Sequence, residues 1–232
     1  MEYLDFESME TRVLFDHWDG WIDFDLSPDG EWMAYAQHDL DFNSDIFLMR
    51  LDGSQDPVNL TRHPDNDEHP RFSADGRLLV FTSERKAEAY DIMVVALDAE
   101  YDRLLKADQE GYHDKAKKAA ADHDHKEANP NVWSWSLDDA WLRLRRLTTL
   151  DGDETSPWIT PGGEAIVFQG SGSHSGLHRI DWKGENRTKI GSGSVQGFST
   201  DGKSLLRVDN GTAVISKTDG KDSTKLGVSA RK

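Results

Sequence analysis

A four-residue turn recurs along this chain in one sequence frame, and it constrains the fold more than any other feature. It is read at Ser27-Pro28-Asp29-Gly30, Ser73-Ala74-Asp75-Gly76, Thr160-Pro161-Gly162-Gly163 and Ser199-Thr200-Asp201-Gly202. An apolar residue precedes each turn (Leu26, Phe72, Ile159, Phe198), and a polar residue and a short apolar run follow it. The starts lie 46, 87 and 39 residues apart. The middle interval therefore reads as one repeat plus an insertion of about 40 residues. Repeats of this length built from short strands indicate an array or a propeller rather than a two-layer domain.

Aligning on the turn brings a whole unit into register. The second strand of each unit reads Trp32-Met33-Ala34-Tyr35, Leu78-Leu79-Val80-Phe81, Ala165-Ile166-Val167-Phe168 and Ser204-Leu205-Leu206-Arg207. Consecutive apolar residues predict strands buried on both faces. A third strand is expected at Asp45-Leu48, Asp91-Val94, Leu177-Ile180 and Ala213-Ile215. A fourth is expected at Val58-Thr61, Arg145-Thr148, Arg187-Ile190 and Thr224-Leu226. Turns rich in Asp, Gly, Ser and Pro separate the strands, as hairpins require. Four strands per repeated unit make a β-propeller blade.

The predicted fold is therefore an all-β propeller of four-stranded antiparallel blades, with a partly helical charged insertion. Residues 1–15 match the outer two strands of a preceding blade. Blades follow at 16–62, 63–150 (with the insertion at about 99–141), 151–191 and 192–232. Four and a half blades close no ring well, so the expectation is a piece of a six- or seven-bladed propeller whose true N-terminus lies outside this sequence. Two positions depart from the repeat. Gly162 stands where the other turns carry Asp, and Arg207 replaces the aromatic of the column Tyr35, Phe81, Phe168.

Composition sets bounds on function. A formal net charge of -16 argues against nucleic acid, whose phosphates need clustered Lys and Arg. No apolar run reaches membrane-spanning length, and Met1-Glu2-Tyr3-Leu4-Asp5 lacks the basic and apolar regions of a signal peptide. The absence of cysteine removes disulfides and thiolate metal sites, and it suits the cytoplasm or the periplasm.

Candidate chemistry is thin. Gly170 to Gly176 sets Ser and His among glycines, but His174 occupies the centre of its Gly-x-x-x-Gly frame, where a nucleophile elbow needs Ser. A loop between the second and third strands is the better reading. His113, His123, Asp124 and His125 suggest zinc, but they lie in a charged insertion without hydrophobic periodicity, which favours solvated chain. Asp65-Asn66-Asp67-Glu68 resembles the start of a calcium loop but lacks its later glycine and glutamate, so a crossover between blades is expected. Trp18, Trp21, Trp158 and Trp182 read as interblade core. No catalytic group, metal or cofactor is expected.

In a four-stranded meander, alternate loops fall on opposite faces of the disc. The recurrent turns occupy one face, and their structural residues are Ser27, Asp29, Gly30, Ser73, Asp75, Gly76, Gly163, Ser199, Asp201 and Gly202. The other face carries longer, mostly acidic loops with Asp39, Asp41, Asp65, Asp67, Glu68, Asp153 and Glu154. Functional loops on a rigid scaffold are the usual pattern, so peptide or protein partners are expected on this face or in the channel.

Phe42-Asn43-Ser44-Asp45-Ile46 and Asn59 to Asp67 resemble the propeller of tricorn-type serine peptidases, as do Arg145-Arg146-Leu147-Thr148, Gly152-Asp153-Glu154 and Pro157. The Ser-Pro-Asp-Gly blades are also similar to those of TolB, a broader relative. The tricorn resemblance implies a noncatalytic segment that gates or positions peptides for a catalytic domain following the propeller, with the remainder of the propeller as a further partner. It places none of that family's catalytic residues on this chain. The alternatives are a TolB-like protein-interaction propeller without peptidase activity, and an enzyme complete within these residues.

Overall fold

The structure, a computed structural model, describes residues 1–4, 9–14, 22–86, 89–121 and 135–229. Strands β1 (Glu2–Leu4) and β2 (Thr11–Val13) form a short hairpin. Four antiparallel four-stranded sheets follow, each in simple meander order. The first contains β3 (Phe24–Leu26), β4 (Trp32–His38), β5 (Ser44–Arg50) and β6 (Val58–Asn59). The second contains β7 (Asp67–Phe72), β8 (Leu78–Lys86), β9 (Ala89–Ala96) and β10 (Leu144–Arg146). The third contains β11 (Glu154–Ile159), β12 (Ala165–Gly170), β13 (Gly176–Asp181) and β14 (Thr188–Gly191). The fourth contains β15 (Ser194–Phe198), β16 (Ser204–Asp209), β17 (Thr212–Lys217) and β18 (Thr224–Ser229).

The recurrent turn owes its form to its first and third residues. Ser27 Oγ donates to Asp29 Oδ1 at 2.5 Å and accepts from the Trp32 amide at 2.9 Å. Ser73 with Asp75 and Ser199 with Asp201 repeat the arrangement. The closing glycine is left-handed in all four turns, with φ between 66° and 72°. In the third turn Gly162 offers no carboxylate, and Glu164 replaces it by accepting from Thr160 Oγ1 at 2.7 Å.

Each pair of neighbouring sheets shares one hydrophobic cluster, which is how a propeller distributes its core. Leu14 and Ile22 lie against Met33, Tyr35 and Met49 on the leading face of the first sheet. Ala34, Ile46 and Leu48 meet Leu79, Phe81 and Val95 between the first and second sheets. Val80, Ile92 and Val94 meet Ile166, Phe168 and Trp182 between the second and third. Val167 and Leu177 meet Leu205 between the third and fourth. Burial of both faces, expected for every second strand, is complete in the apolar runs of β8 and β12 but fails in β16. There Leu206 is 38 % exposed, as is its cross-strand partner Ile215.

Cross-strand pairing corrects the sequence alignment of the third strands. Tyr35 pairs with Phe47, Phe81 with Met93, Phe168 with His178 and Arg207 with Val214. Leu177 and Ala213 are thus equivalent to Ile46 and Ile92, one residue later in the repeat than Asp45 and Asp91. The two later blades have no acidic residue at the start of this strand, and the sequence alignment absorbed the loss as a slip of one.

Residues 99–121 of the insertion pack one side against the blades, where solvated chain is expected. Helix α1 (Ala99–Arg103) starts at Asp98, whose Oδ1 accepts from the Glu100 and Tyr101 amides. Helix α2 (Lys106–Ala121) follows and lies on the turn face of the second and third sheets. His113 Nδ1 donates to the Gly162 carbonyl at 3.1 Å, so its Nε2 accepts from the Tyr101 hydroxyl at 2.7 Å. Tyr101, Gln109, His113 and Ala116 are all buried. The helix docks through buried Gln109, His113 and Ala116, with Tyr112 packed beside them as the one large apolar side chain of the contact among the described residues. His113 is therefore spent on docking; His123, Asp124 and His125 lie outside the described residues, as do Trp18 and Trp21.

Candidate functional site

The innermost strands β3, β7, β11 and β15 converge on a cavity of about 290 Å3, lined by Asp25, Arg71, Phe72, Trp158, Ile159 and Phe198, with Pro28, Ser73, Ala74 and Pro161 of the recurrent turns placing it at the turn-face end of the channel. In β7 and β11 a bulge precedes the channel-facing residues, at His69-Pro70 and Ser156-Pro157. His69 and Ser156 are left-handed there, with φ of 56° and 52°. Left-handed backbone at residues other than glycine is costly and concentrates at functional sites. The bulge re-aims the strand so that Arg71 and Trp158, on neighbouring innermost strands, meet at the channel wall, with the guanidinium carbon 5.6 Å from the indole centroid.

Arg71 Nη1 also donates to the Pro70 carbonyl at 2.6 Å and lies 3.4 Å from Asp23 Oδ1. Beside it Asp25 Oδ2 accepts from the Phe72 amide at 2.8 Å. Burial raises the Asp25 pKa, opposed by that hydrogen bond and by the positive charge of Arg71. The wall thus offers a cation on an aromatic face, a half-buried carboxyl and an apolar rim. Trp158, read from sequence as interblade core, is half-buried and belongs to this wall instead, whereas Trp182 is buried between blades.

The loops that carry the predicted acids are tied to one another by hydrogen bonds. The Ser44 amide donates to Asn66 Oδ1, Asn66 Nδ2 donates to Glu84, and the Tyr90 amide donates to Asp153 Oδ1. Asp39, Asp41 and Asp65 are exposed there, while Glu68 and Asp153 are half-buried. Asp39 Oδ1 accepts from the Asp41 and Asn43 amides and so shapes its own loop.

Two of the seven predicted acids are not on this surface. Asp67 and Glu154 have no exposed area and point between blades. Asp67 accepts from Arg85 Nη2 at 2.9 Å, and the same nitrogen donates to the Thr61 carbonyl at 2.8 Å. That inward ion pair also replaces the calcium-loop reading of residues 65–68. The missed sequence signal is a carboxylate three residues before proline: Asp67 before Pro70 and Glu154 before Pro157. It marks the buried start of an innermost strand rather than a surface acid.

Gly170 to Gly176 forms a 3-10 turn between β12 and β13, with His178 Nε2 donating to the His174 carbonyl at 2.8 Å. No serine in that loop is hydrogen-bonded to a histidine ring among the described residues. A larger groove, about 530 Å3, lies between the β1–β2 hairpin and the first sheet on the turn side. Its Arg50 is already tied to Glu31 and Asp52.

No family model and no curated protein matches the sequence. Solved structures do match in shape. TolB from Acinetobacter baumannii superposes with a TM-score of 0.62 at 17% identity, covering 96% of this chain and 47% of that one. A TolB candidate from Agrobacterium tumefaciens gives 0.57 at 17% identity, over 88% of this chain and 63% of that chain. Hydrazine synthase from Kuenenia stuttgartiensis gives 0.56 at 15% identity, over 97% and 35%. The chain therefore spans less than two thirds of each of these neighbours. At such identities the likeness is one of fold: the four sheets and their flanking hairpin are blades of a TolB-like β-propeller.

Proposed function

We propose that this propeller is a noncatalytic binding scaffold for peptide segments, held at the turn-side wall of the channel and drawn in from the acidic loop face at its other end. The observation that carries this reading is the wall where Arg71 stacks on Trp158 beside Asp25. An aromatic and a cation fixed on strands, with an apolar rim, suit an extended chain whose backbone and side chains alternate in polarity. Asp39, Asp41, Asp65, Glu68 and Asp153 add a negative field that attracts basic segments.

The finer reading is that the scaffold gates or positions peptides for a tricorn-type serine peptidase domain encoded beyond Lys232. It rests on the sequence resemblance given above. A protein-interaction propeller with no peptidase attached is the second reading, favoured by the likeness in fold to TolB. The coding sequence downstream separates the two, since the first requires a PDZ domain and a Ser/His-bearing catalytic domain.

Binding itself is tested by titrating a peptide library and following tryptophan fluorescence. Arg71→Gln and Trp158→Leu are expected to weaken binding at least tenfold. Reversing Asp65, Glu68 and Asp153 to Lys is expected to abolish the preference for basic peptides. Unchanged affinity in all of these variants would remove both sites from the account.

A further inference from the structure

The seams between blades are built alike, and one of them lacks a charge that the other has. At the seam of the first and second sheets, buried Asp67 is neutralised by Arg85. Asp67 pairs across its hairpin with Ser83, and Arg85 lies two residues further along the strand. At the next seam Glu154 takes the place of Asp67 and pairs with Gly170. Two residues on from Gly170 is Gly172, which has no side chain to offer. Glu154 is fully buried, neither of its oxygens makes a hydrogen bond of good geometry among the described residues, and the groups nearest it are the Thr148 hydroxyl, the Leu150 amide and Asp91, with no cation among them.

Its neighbours are those of an acid pair. The Glu154 side chain lies against Asp91 and Thr148 of the second sheet. Asp91 is itself buried and accepts from Arg146 Nη2 at 2.7 Å. The Thr148 hydroxyl oxygen already accepts from the Ile92 amide at 2.8 Å. The other titratable groups around the seam are Tyr90, Asp153 and, two pairs from Gly170 along the third sheet, His178. One guanidinium thus serves two adjoining buried carboxylates, and two such anions in contact cannot both stay ionised.

We propose that Asp91 and Glu154 form one proton-binding site in the seam between the second and third sheets, and that its ionisation weakens the Tyr90–Asp153 contact on the acidic face. The proton does at this seam what Arg85 does at the neighbouring one. Burial pushes the Glu154 carboxyl up to about 7 and also raises Asp91, against the pull of Arg146. The mechanical link is short: Asp153 precedes Glu154, its side chain accepts from the Tyr90 amide at 3.2 Å, and its own amide donates to the Ser171 hydroxyl oxygen at 2.7 Å. Tyr90 precedes Asp91, so both members of the pair adjoin the same loop contact. This device is independent of what the propeller binds.

The test is a carbon-13 NMR titration of the glutamate carboxyls in the full chain, alongside Glu154→Gln. Gln is isosteric with the protonated acid, so the variant is expected to fold. The Glu154 signal is expected to titrate near pH 7, and amide exchange at Tyr90 and Asp153, corrected for intrinsic pH effects, is expected to rise through the same range only in the parent protein. Because the folded state holds a proton that the unfolded state has released, stability should fall as pH rises from the ordinary glutamate range to about 7. The variant should lose that decline. A Glu154 midpoint at the ordinary glutamate value, or the same decline in Glu154→Gln, would overturn the proton site. Exchange at Tyr90 and Asp153 that follows pH identically in both proteins would overturn the coupling.

Discussion

Lys117 crosses Gly162 so closely that a Cβ on the glycine would lie 2.8 Å from the lysine Cβ and 3.0 Å from its Cα. This contact accounts for the one turn without aspartate: helix α2 occupies the space that a side chain at position 162 would fill. Gly162→Asp would restore the repeat sequence yet push backbone against backbone. We expect it to lift the C-terminal half of α2 while leaving the third sheet intact. Faster amide exchange confined to residues 109–118 would meet this expectation, and unchanged exchange there would refute it.

His113 gives the same docking a dependence on pH. Burial lowers its pKa below the ordinary 6.5, even though the hydrogen bond to the Gly162 carbonyl favours the charged ring. The unfolded chain therefore binds a proton before the folded one does. The contribution of this group to stability is complete above 6.5 and is lost as pH falls through its folded value. We expect α2 to exchange faster in mild acid, and His113→Gln to remove that dependence. The direction is opposite to that of Glu154 over an overlapping pH range, so the two substitutions should change the slope of the stability profile there with opposite signs.

The Asp67–Arg85 pair joins two strands of the second sheet at its seam with the first, where Arg85 also donates to the Thr61 carbonyl. Arg85→Met leaves a fully buried carboxylate with no cation, which costs about 3–5 kcal/mol. Adding Asp67→Asn to it should recover most of that loss. Urea unfolding of the three proteins measures the cycle, and equal losses in the single and double variants would deny the pair its role.

Arg207 fills the aromatic column of the fourth sheet and is buried. Its guanidinium donates to the Ser192 carbonyl, lies 3.4 Å from Asp209 Oδ2, and rests near Gly191, where an added Cβ would lie 3.3 Å from the arginine Cζ. Arg207→Ala is expected to cost about 1–3 kcal/mol, through orphaned polar groups rather than lost apolar area. A change within experimental error would show that the column tolerates any residue at this blade.

The repeat was legible because its turn is chemically demanding: a hydroxyl, a carboxylate and a left-handed glycine must fall at fixed spacing. Tyr35, Phe81, Phe168 and Arg207 could be aligned on that turn, and the cross-strand pairs place them in equivalent positions. The third strands carry no such marker in the later blades, which is why the alignment slipped at Leu177. The docking of α2 was hidden because Gln109, His113 and Ala116 bury a stripe that does not read as apolar. Charge alone could not separate Asp65, which faces water, from Asp67, which faces Arg85. The distinction lies in the strand pairing, and the carboxylate-x-x-Pro spacing is its only trace in sequence. Arg71 was missed because its partner Trp158 comes from another blade, 87 residues away in the chain.

The most direct test of a channel-binding propeller is hydrogen exchange of the full chain with and without a bound peptide selected from a library. Protection is expected at residues 23–26, 69–72 and 156–159, with weaker protection in the acidic loops at 39–43 and 150–153. Protection confined to the turn face, at residues 49–54 or on α2, would contradict the account, as would a peptide that binds while leaving the strands around Arg71 and Trp158 unprotected.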